Sequence, residues 1–583
     1  MPITVLKNAR VLRRYLVYDL EWVPGKFSTE GHMPVRLVGV YDGEKYRWYT
    51  TVAQFLNGEL TSKNRGKWFY AHAGGLADFQ FLLHELVHCK DYKINASFSG
   101  SSAIIVHITR GKNSWHFVDS FWLLKEKLRN IGKWIGINKG NDDESEEFYR
   151  DATLQQLREY NEIDCIILYN AISQFELTLL ELGGQLKMTQ ASCAMDLFRR
   201  RFLKTTIDTD DRINVLARNA YFASRVEVLA KYCDDAYYFD VNSSFPYAMT
   251  FPIPGDPIGS YTGRMPEYGL YIAEVDVEVP DCFLPPLPTR KGGRLFFPTG
   301  KWRGWYSNID IDLLRSAGGK INKVYQSVAF EARTDCKDYA ETLYELRAKS
   351  TGFMQIGCKY LLNSLYGKFA ESDIKSSLIV NPDVPNRAEW TELFPGAFIA
   401  EKQVPIPHMH VPISVHITAI ARRTLYTYMG YSEETHYCDT DGFSSTNCLD
   451  STEGVLGQIK LEKVIRKGRF ILAKTYDMDG VDEKGRELRS KPDQGVKAKG
   501  FSRMNLAKFE KLIGGAEVEY SRMARIKEVL RGAVKAGTTE PVEKTYRKKL
   551  RPDAVPKRCF YPDDQSRPWS VEELNDIFPK EET

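Results

Sequence analysis

Alternating apolar and polar positions open the chain: the run Tyr15-Leu-Val-Tyr-Asp19 predicts a strand, and Pro24-Gly25 after it marks a turn. The same alternation over Val35–Val40 and Tyr46–Thr51 predicts further strands of one sheet. From Leu123 to Leu182 the apolar period becomes helical, with Asp151-Ala-Thr153-Leu reading as a helix start. The first 185 or so residues thus read as an α/β domain. A second strand, Ala236–Asp240, precedes a Pro-rich stretch from Phe251 to Pro298, where Pro285-Pro286-Leu287-Pro288 predicts an irregular or edge-strand insertion. The pattern is helical from Asp335 to Phe369. A loop rich in proline (Pro382, Pro385, Pro395, Pro405, Pro407, Pro412) comes next, then a helix over Arg423–Met429 and a hairpin over His436–Ser444. The basic run Lys544–Arg551 reads as a solvated helix face or as a contact to nucleic acid.

A chain of 583 residues is too long for one core. Its 80 Lys and Arg against 76 Asp and Glu leave a net charge of only +4, so bulk charge does not announce a polyanion partner. Segregation of that charge into basic channels and acidic metal sites remains open. The 10 cysteines form no C-x-x-C pair, which argues against zinc ribbons and for free thiols in a reducing, cytoplasmic setting. No signal peptide and no apolar run of ~18 residues is seen, so no membrane span is expected.

Candidate chemistry lies in two sets of carboxylates. Transfer or hydrolysis of a phosphodiester calls for two divalent metals ~3.5–4 Å apart, held by Asp or Glu from different elements. The later set joins Asp240, at a strand end, to Asp439-Thr440-Asp441-Gly442 at a hairpin tip, with Asp240 and Asp439 as the expected ligand pair and Asp441 in support. Spacing alone is weak, since Asp208-Thr209-Asp210 has the same form in a polar turn. Between the two lies Lys359-Tyr-Leu-Leu-Asn363-Ser364-Leu-Tyr366-Gly367-Lys368. There Lys359, Asn363 and Tyr366 fall on one helical face, offering a cation to a triphosphate and a ring to a base or sugar; Arg347 offers a second phosphate contact. The earlier set is Asp19 and Glu21, Asp78, then Tyr160 and Asp164 at i, i+4. Asp142-x-Glu144 and Asp276-x-Glu278 have the form of Asp19-x-Glu21 and read as surface charge.

In order and company these segments resemble family B DNA polymerases. Asp240-Val-Asn-Ser243-Ser-Phe-Pro246, Lys359–Lys368 and Tyr437–Asp441 look like motifs A, B and C, and the earlier set resembles the three motifs of the 3′–5′ proofreading exonuclease. Thr418-Ala-Ile-Ala-Arg422 and Lys474-Thr475-Tyr476 favour the protein-primed branch, replicases of phages and plasmids with linear genomes. The resemblance implies a multidomain α/β and α+β fold. A ribonuclease-H-like exonuclease domain (1–185) would precede a right-hand polymerase domain (186–583) with an antiparallel palm sheet. Palm would cover 186–250 and 412–500, the first insertion 251–334, fingers 335–370, the second insertion 371–411 and a basic thumb 501–583. It further implies Mg²⁺, two ions per site with Mn²⁺ able to substitute, on Asp240, Val241 and Asp439 and on Asp19, Glu21, Asp78 and Asp164, with Lys139 and Tyr160 assisting. Phe245 and Val241 would contact the nucleotide; Ser120, Phe121, Tyr221, Ser243, Gly367, Thr418, Arg422, Lys474 and Tyr476 would contact DNA. Implied partners are a primer–template, dNTPs and a terminal protein docking on the first insertion, where Lys291, Arg294, Lys301 and Arg303 lie; the chain would act as a monomer.

Four positions depart from the family pattern: Ala73 where an Asn is usual, Phe245 for Tyr, Gly442 for Ser, and the linker Tyr221-Phe222-Ala223-Ser224. Phe245 keeps the ring of a steric gate, and Asp78 survives beside Ala73, which implies a weakened but active exonuclease. Two alternatives stay open: a polymerase that starts without a terminal protein, and a nuclease-only or non-catalytic DNA-binding protein.

Overall fold

The structure is a computed structural model that describes residues 2–7, 11–139, 145–383, 388–490, 494–501, 504–550 and 555–579. Asp142, Glu144, Pro385 and Arg551 lie outside the described residues.

The strand expected at Tyr15 runs over Tyr15–Trp22 and sits inside a ten-stranded sheet. It pairs antiparallel with Val35–Tyr41 and parallel with Trp68–Ala71, which pairs parallel with Asn113–Asp119. Helix Leu154–Leu182 lies across this sheet. Thr153 caps it, accepting from the Gln156 N–H while Gln156 reaches back, a box worth ~1 kcal/mol. By length and mean composition alone this helix could cross a membrane, although polar residues such as Asn170, Gln174, Glu176 and Glu181 interrupt its apolar stretch. Its apolar face is spent on the sheet and on helix Gly352–Ser364, with Leu168, Ala171, Ile172 and Phe175 buried there.

The Pro-rich segment after Lys368 is not a loop. Ile374–Val380, Thr391–Phe394 and Ala397–Gln403 form an antiparallel unit, and Ile374–Val380 pairs with Lys93–Ser99 to extend the N-terminal sheet. Pro382, Pro395 and Pro405 fall between or beyond these strands, where a missing N–H costs no ladder bond. Pro412 opens helix Val411–Met429, much longer than the Arg423–Met429 expected, because proline is tolerated in a first turn. The stretch expected to be irregular after Phe251 is mostly a four-stranded antiparallel sheet of Ile253–Thr262, Lys320–Arg333, Leu270–Val279 and Gly300–Ser307. Pro254 and Pro257 lie on its edge strand, where the register shifts.

A seven-stranded antiparallel sheet forms the middle of the chain. Tyr232–Val241 is its central strand, flanked by Ile459–Leu472 and by the hairpin of Tyr437–Asp439 and Gly442–Ser445; Val226–Val228 closes one edge. One face packs on helix Val411–Met429 through Phe239, Cys438 and Phe443. The expected helical segment forms Asp335–Lys349 and Gly352–Ser364. The basic run is a strand, Glu543–Lys548, paired with Val518–Met523, which corrects the helix-face reading. Helix Ile526–Ala536 sends Ile526 and Leu530 into the N-terminal core. The segment expected as one thumb is divided: past residue 555 the chain returns to the central and four-stranded sheets.

Candidate active sites

The N-terminal sheet and its long helix bring Asp19, Glu21 and Asp164 together, with one oxygen from each within 4.8 Å of the others. Glu21 and Asp164 are buried. Asn161, three residues before Asp164 on the same helix face, donates to Asp19 Oδ2 (2.9 Å) and Glu21 Oε1 (3.2 Å), and its Oδ1 accepts from the Tyr46 hydroxyl. Asp78, at the start of helix Asp78–His88, accepts from the Leu20 N–H at 3.1 Å and so stands behind the same strand. Lys139 pairs with Asp164 at 2.8 Å and lies 4.4 Å over the Tyr160 ring. Burial, then the Asp78 carboxylate, pushes Asp19 up to about 7; burial, helped by Asp119, outweighs the backbone donors to Asp78, which also rises to about 7. Lys139 loses charge stability to burial but regains more from Asp164, ending above the ordinary lysine value.

The trio faces a cavity of about 960 Å³ whose opposite wall is Tyr520, Arg522 and Arg525. Phe121 is exposed beside His72, their rings 6.0 Å apart. Ser120, expected to touch a strand, is fully buried and donates to the Ala71 carbonyl, so its role here is to hold the loop that presents Phe121. Asn161, Tyr149, whose hydroxyl meets that of Tyr160 at 2.9 Å, and His72 were missed from sequence; Asn161 was legible as the i, i+3 partner of Asp164.

The second site lies at one end of the central sheet. Asp240 pairs in register with Gly442, which pairs with Asp439, so all three lie on one face and Asp439 stands two strands from Asp240. Asp441 is the second carboxylate of the hairpin turn. Its carbonyl accepts from the Val241 N–H (2.9 Å), and its carboxylate is the largest neighbouring charge raising Asp240. Burial and Asp441 push Asp240 up to about 7; burial and Asp439 push Asp441 up to about 6. Asp439 is instead engaged by the Lys474 ammonium and by the Thr440 hydroxyl at 3.1 Å. The expectation paired Asp240 with Asp439; in the structure Asp441 is the carboxylate that bears most on Asp240, while Asp439 is paired with Lys474. Glu462, bound to Lys460 at 2.9 Å, adds a third carboxylate that sequence reading missed; Lys460 lies 3.7 Å from Asp240. Gly442 is explained by Tyr238, whose hydroxyl would lie 2.6 Å from an added Cβ.

Phe245 stacks on Tyr366, ring centroids 4.0 Å apart and 8° from parallel, next to this pair. Tyr366 belongs to a 3-10 turn, Tyr366–Ala370, rather than to the helix that carries the exposed Lys359 and Asn363. Arg347 reaches the Ser243 hydroxyl at 3.5 Å, with Ser243 in a left-handed conformation (φ 51°) that turns the chain out of the strand. Gly367 is exposed with open space around it. Half-buried Tyr221 lies beside Tyr366, and Tyr476 packs edge-on against Tyr437.

Two more expected DNA contacts, besides Ser120, are not at the surface. Thr418 is buried and donates to Ser414 and Val415 of its own helix. Arg422, 3% exposed, donates to the Phe222 carbonyl (2.7 Å) and to Asp310 (2.8 Å), tying the linker to the four-stranded sheet's helix. On that sheet Arg303 pairs with Glu274 (2.8 Å) and Lys301 with Glu278 (3.4 Å); on the separate two-stranded sheet of Thr289–Lys291 and Arg294–Phe296, Lys291 meets Asn575 and Arg294 is half-buried.

The family model for DNA polymerase type B, organellar and viral, matches residues 136–389, a stretch containing Asp164, Asp240 and Lys359. A probable DNA polymerase of Ascobolus immersus is 25% identical over 566 residues, 81% of this chain and 46% of that protein. The DNA-directed DNA polymerase of Enterobacteria phage PRD1 is 25% identical over 440 residues, 69% and 72% of the two chains. The chain spans about half the length, or less, of the fungal relatives it matches. In fold it is similar to Phi29 DNA polymerase complexed with primer-template DNA and incoming nucleotides, at a TM-score of 0.73 and 19% identity, covering 93% of this chain and all of that one. Motifs, fold and relatives agree in one similarity: this chain resembles the type B DNA polymerases of viruses and organelles, that of Bacillus phage phi29 among them.

Proposed function

We propose that this chain is a DNA-directed DNA polymerase with a separate 3′–5′ exonuclease site, starting synthesis from a protein and displacing the strand ahead of it. The observation that carries the reading is the placement of Asp240 and Asp441 beside the Phe245–Tyr366 stack. Two carboxylates held near neutrality by burial adjoin an aromatic floor of the size of a base or sugar. Hard oxygen donors crowded in this way fit Mg²⁺, which would offset the repulsion that raises them. Asp240, Asp441 and the Val241 carbonyl would hold it at one site and Asp19, Glu21 and Asp164 at the other. Bound there, the metal supplies charge stabilisation of a phosphoryl group and of the attacking oxygen.

The chain's own groups do the rest. Arg347 and Lys359 lie where a triphosphate needs cations, and the Phe245 ring bars a 2′-hydroxyl by occupying its space. Lys474 pairs with Asp439 and offsets part of the repulsion felt by Asp441. At the other site Asn161 orients Asp19 and Glu21, and the Tyr160 hydroxyl, hydrogen-bonded to Tyr149, is placed to hold a water.

Protein priming is within reach of the chemistry: any hydroxyl presented in line with the α-phosphate serves, a Ser, Thr or Tyr side chain included. The relatives' phage origin supports it. Extension of a primed single strand by the purified chain, with and without Mg²⁺, tests the reading. Mg²⁺-dependent dNTP addition is expected; none at any metal concentration overturns it.

A further inference from the structure

We propose that Arg558 and Ser566 are positioning residues for the hairpin Tyr437–Ser445, acting through its outer neighbour strand; this rests on the polymerase reading above. The hairpin is short: Tyr437–Asp439 has three residues, and its outer neighbour, the edge strand Val226–Val228, has three more. Six residues of paired strand at a sheet edge have few ladder bonds to fix their register, and a slip of one residue would turn Asp439 to the opposite face.

The edge strand is instead fixed from outside. Residues 555–567 return from the far end of the chain and bind the residues that directly follow it, with Ala230 bridging Gln565 and Lys231 paired with Asp564 at 2.6 Å. The Ser566 hydroxyl donates to the Leu229 carbonyl and accepts from Arg558 Nε at 2.8 Å. Arg558 is fully buried over the Phe283 ring (4.6 Å). On the same side of the sheet, Arg225 forms a buried ion pair with Glu227 (2.6 Å) and donates to the Pro285 carbonyl (3.0 Å). Glu227 pairs directly with Arg225 and its charge also favours the charged forms of Arg558 and Lys557, linking two distant parts of the chain electrostatically.

The link to the reacting groups is direct. The Thr440 N–H donates to the Arg225 carbonyl at 2.9 Å, Cys438 pairs with Glu227 and Asp439 with Val226. Thr440, at φ 70°, is the left-handed turn residue between the two aspartates. Where Arg225 sits thus sets where Asp441 points. Beyond Ser566, Thr299 bridges Ser570 and helix Val571–Ile577 packs on Gly300–Ser307, anchoring the clamp in the four-stranded sheet.

The test uses the full chain with Arg558→Met, Arg558→Lys and the milder Ser566→Ala. Readouts are kcat and KM for dNTP addition, 3′-end degradation, melting temperature, and hydrogen exchange at the amides of residues 437–442. Expected for Arg558→Met is a ~10–100-fold lower kcat with KM unchanged, in line with a reacting group displaced by under an ångström. Degradation should persist and exchange at 437–442 should quicken, with Arg558→Lys recovering part of both effects. Wild-type kcat and exchange in Arg558→Met and Ser566→Ala would overturn the clamp, as would a parallel fall of both activities with the melting temperature. If the wild-type chain adds no nucleotide, the polymerase reading fails, and the exchange data still decide whether Arg558 holds the hairpin.

Discussion

Gly39 shows how a residue without chemistry decides a site. It pairs with Asp19 on the neighbouring strand, and an added Cβ would lie 1.7 Å from Asn161 Oδ1. Gly39→Ala should push Asn161 off Asp19 and Glu21. We expect a loss of ~1–3 kcal/mol from overpacking and a sharp fall in 3′-end degradation, with dNTP addition retained; a melting curve and two activity assays check it. Phe245 is a second case, half-buried and stacked on Tyr366 rather than enclosed in the core. Phe245→Val should raise ribonucleotide incorporation relative to dNTPs while costing ~1–3 kcal/mol for the lost ring. An unchanged selectivity on a destabilised chain would make Phe245 a packing residue only.

At the scale of one element, the hairpin Tyr437–Ser445 separates two aspartates that the sequence makes equivalent. Asp439 is neutralised by Lys474, whereas Asp441 bears on Asp240. Asp441→Ala should therefore reduce dNTP addition ~10³-fold or more, and Asp439→Ala less, with its main effect on the Lys474 side. Single-turnover rates of the two variants decide the order; equal losses would mean that both carboxylates act on the metal. The element also explains Gly442, since the Tyr238 hydroxyl fills the space a side chain needs.

At the scale of the whole molecule, the two carboxylate sites stand on different sheets and should fail separately. Asp19→Ala with Glu21→Ala should abolish 3′-end degradation and leave extension intact; loss of both activities in a folded chain would refute two independent sites. Charge gives a second molecular property. Asp19, Asp78 and Asp240 are each pushed up to about 7, first by burial. Unfolded, such carboxyls titrate near ~3.9, so the folded chain binds more protons across the interval between the two values. Stability of the metal-free chain should then fall as pH rises from ~4 to ~7, by up to ~1.4 kcal/mol per unit and group. Divalent metal should restore more of it at pH 8 than at pH 5.5. Melting temperatures with chelator and with Mg²⁺ at both values check the sign.

By itself the sequence determined several local elements and named the carboxylates that the fold gathers at the N-terminal site. Alternation located Tyr15–Trp22 and Tyr232–Val241, Thr153 marked the start of the long helix, and acidic spacing named every carboxylate of the N-terminal trio. Tertiary structure decided what depends on which surface meets which. Strand Ile374–Val380 was hidden among prolines because only its partner, Lys93–Ser99, completes its ladder. Thr418 and Arg422 have the composition of a binding motif, yet the packing of helix Val411–Met429 between two sheets turns them inward. Asp439 and Asp441 differ by one turn residue in sequence, and Lys474, 35 residues from Asp439, is what tells them apart. Spacing along a chain records which groups are available; burial and long-range pairing set which of them stay charged, and toward what they point.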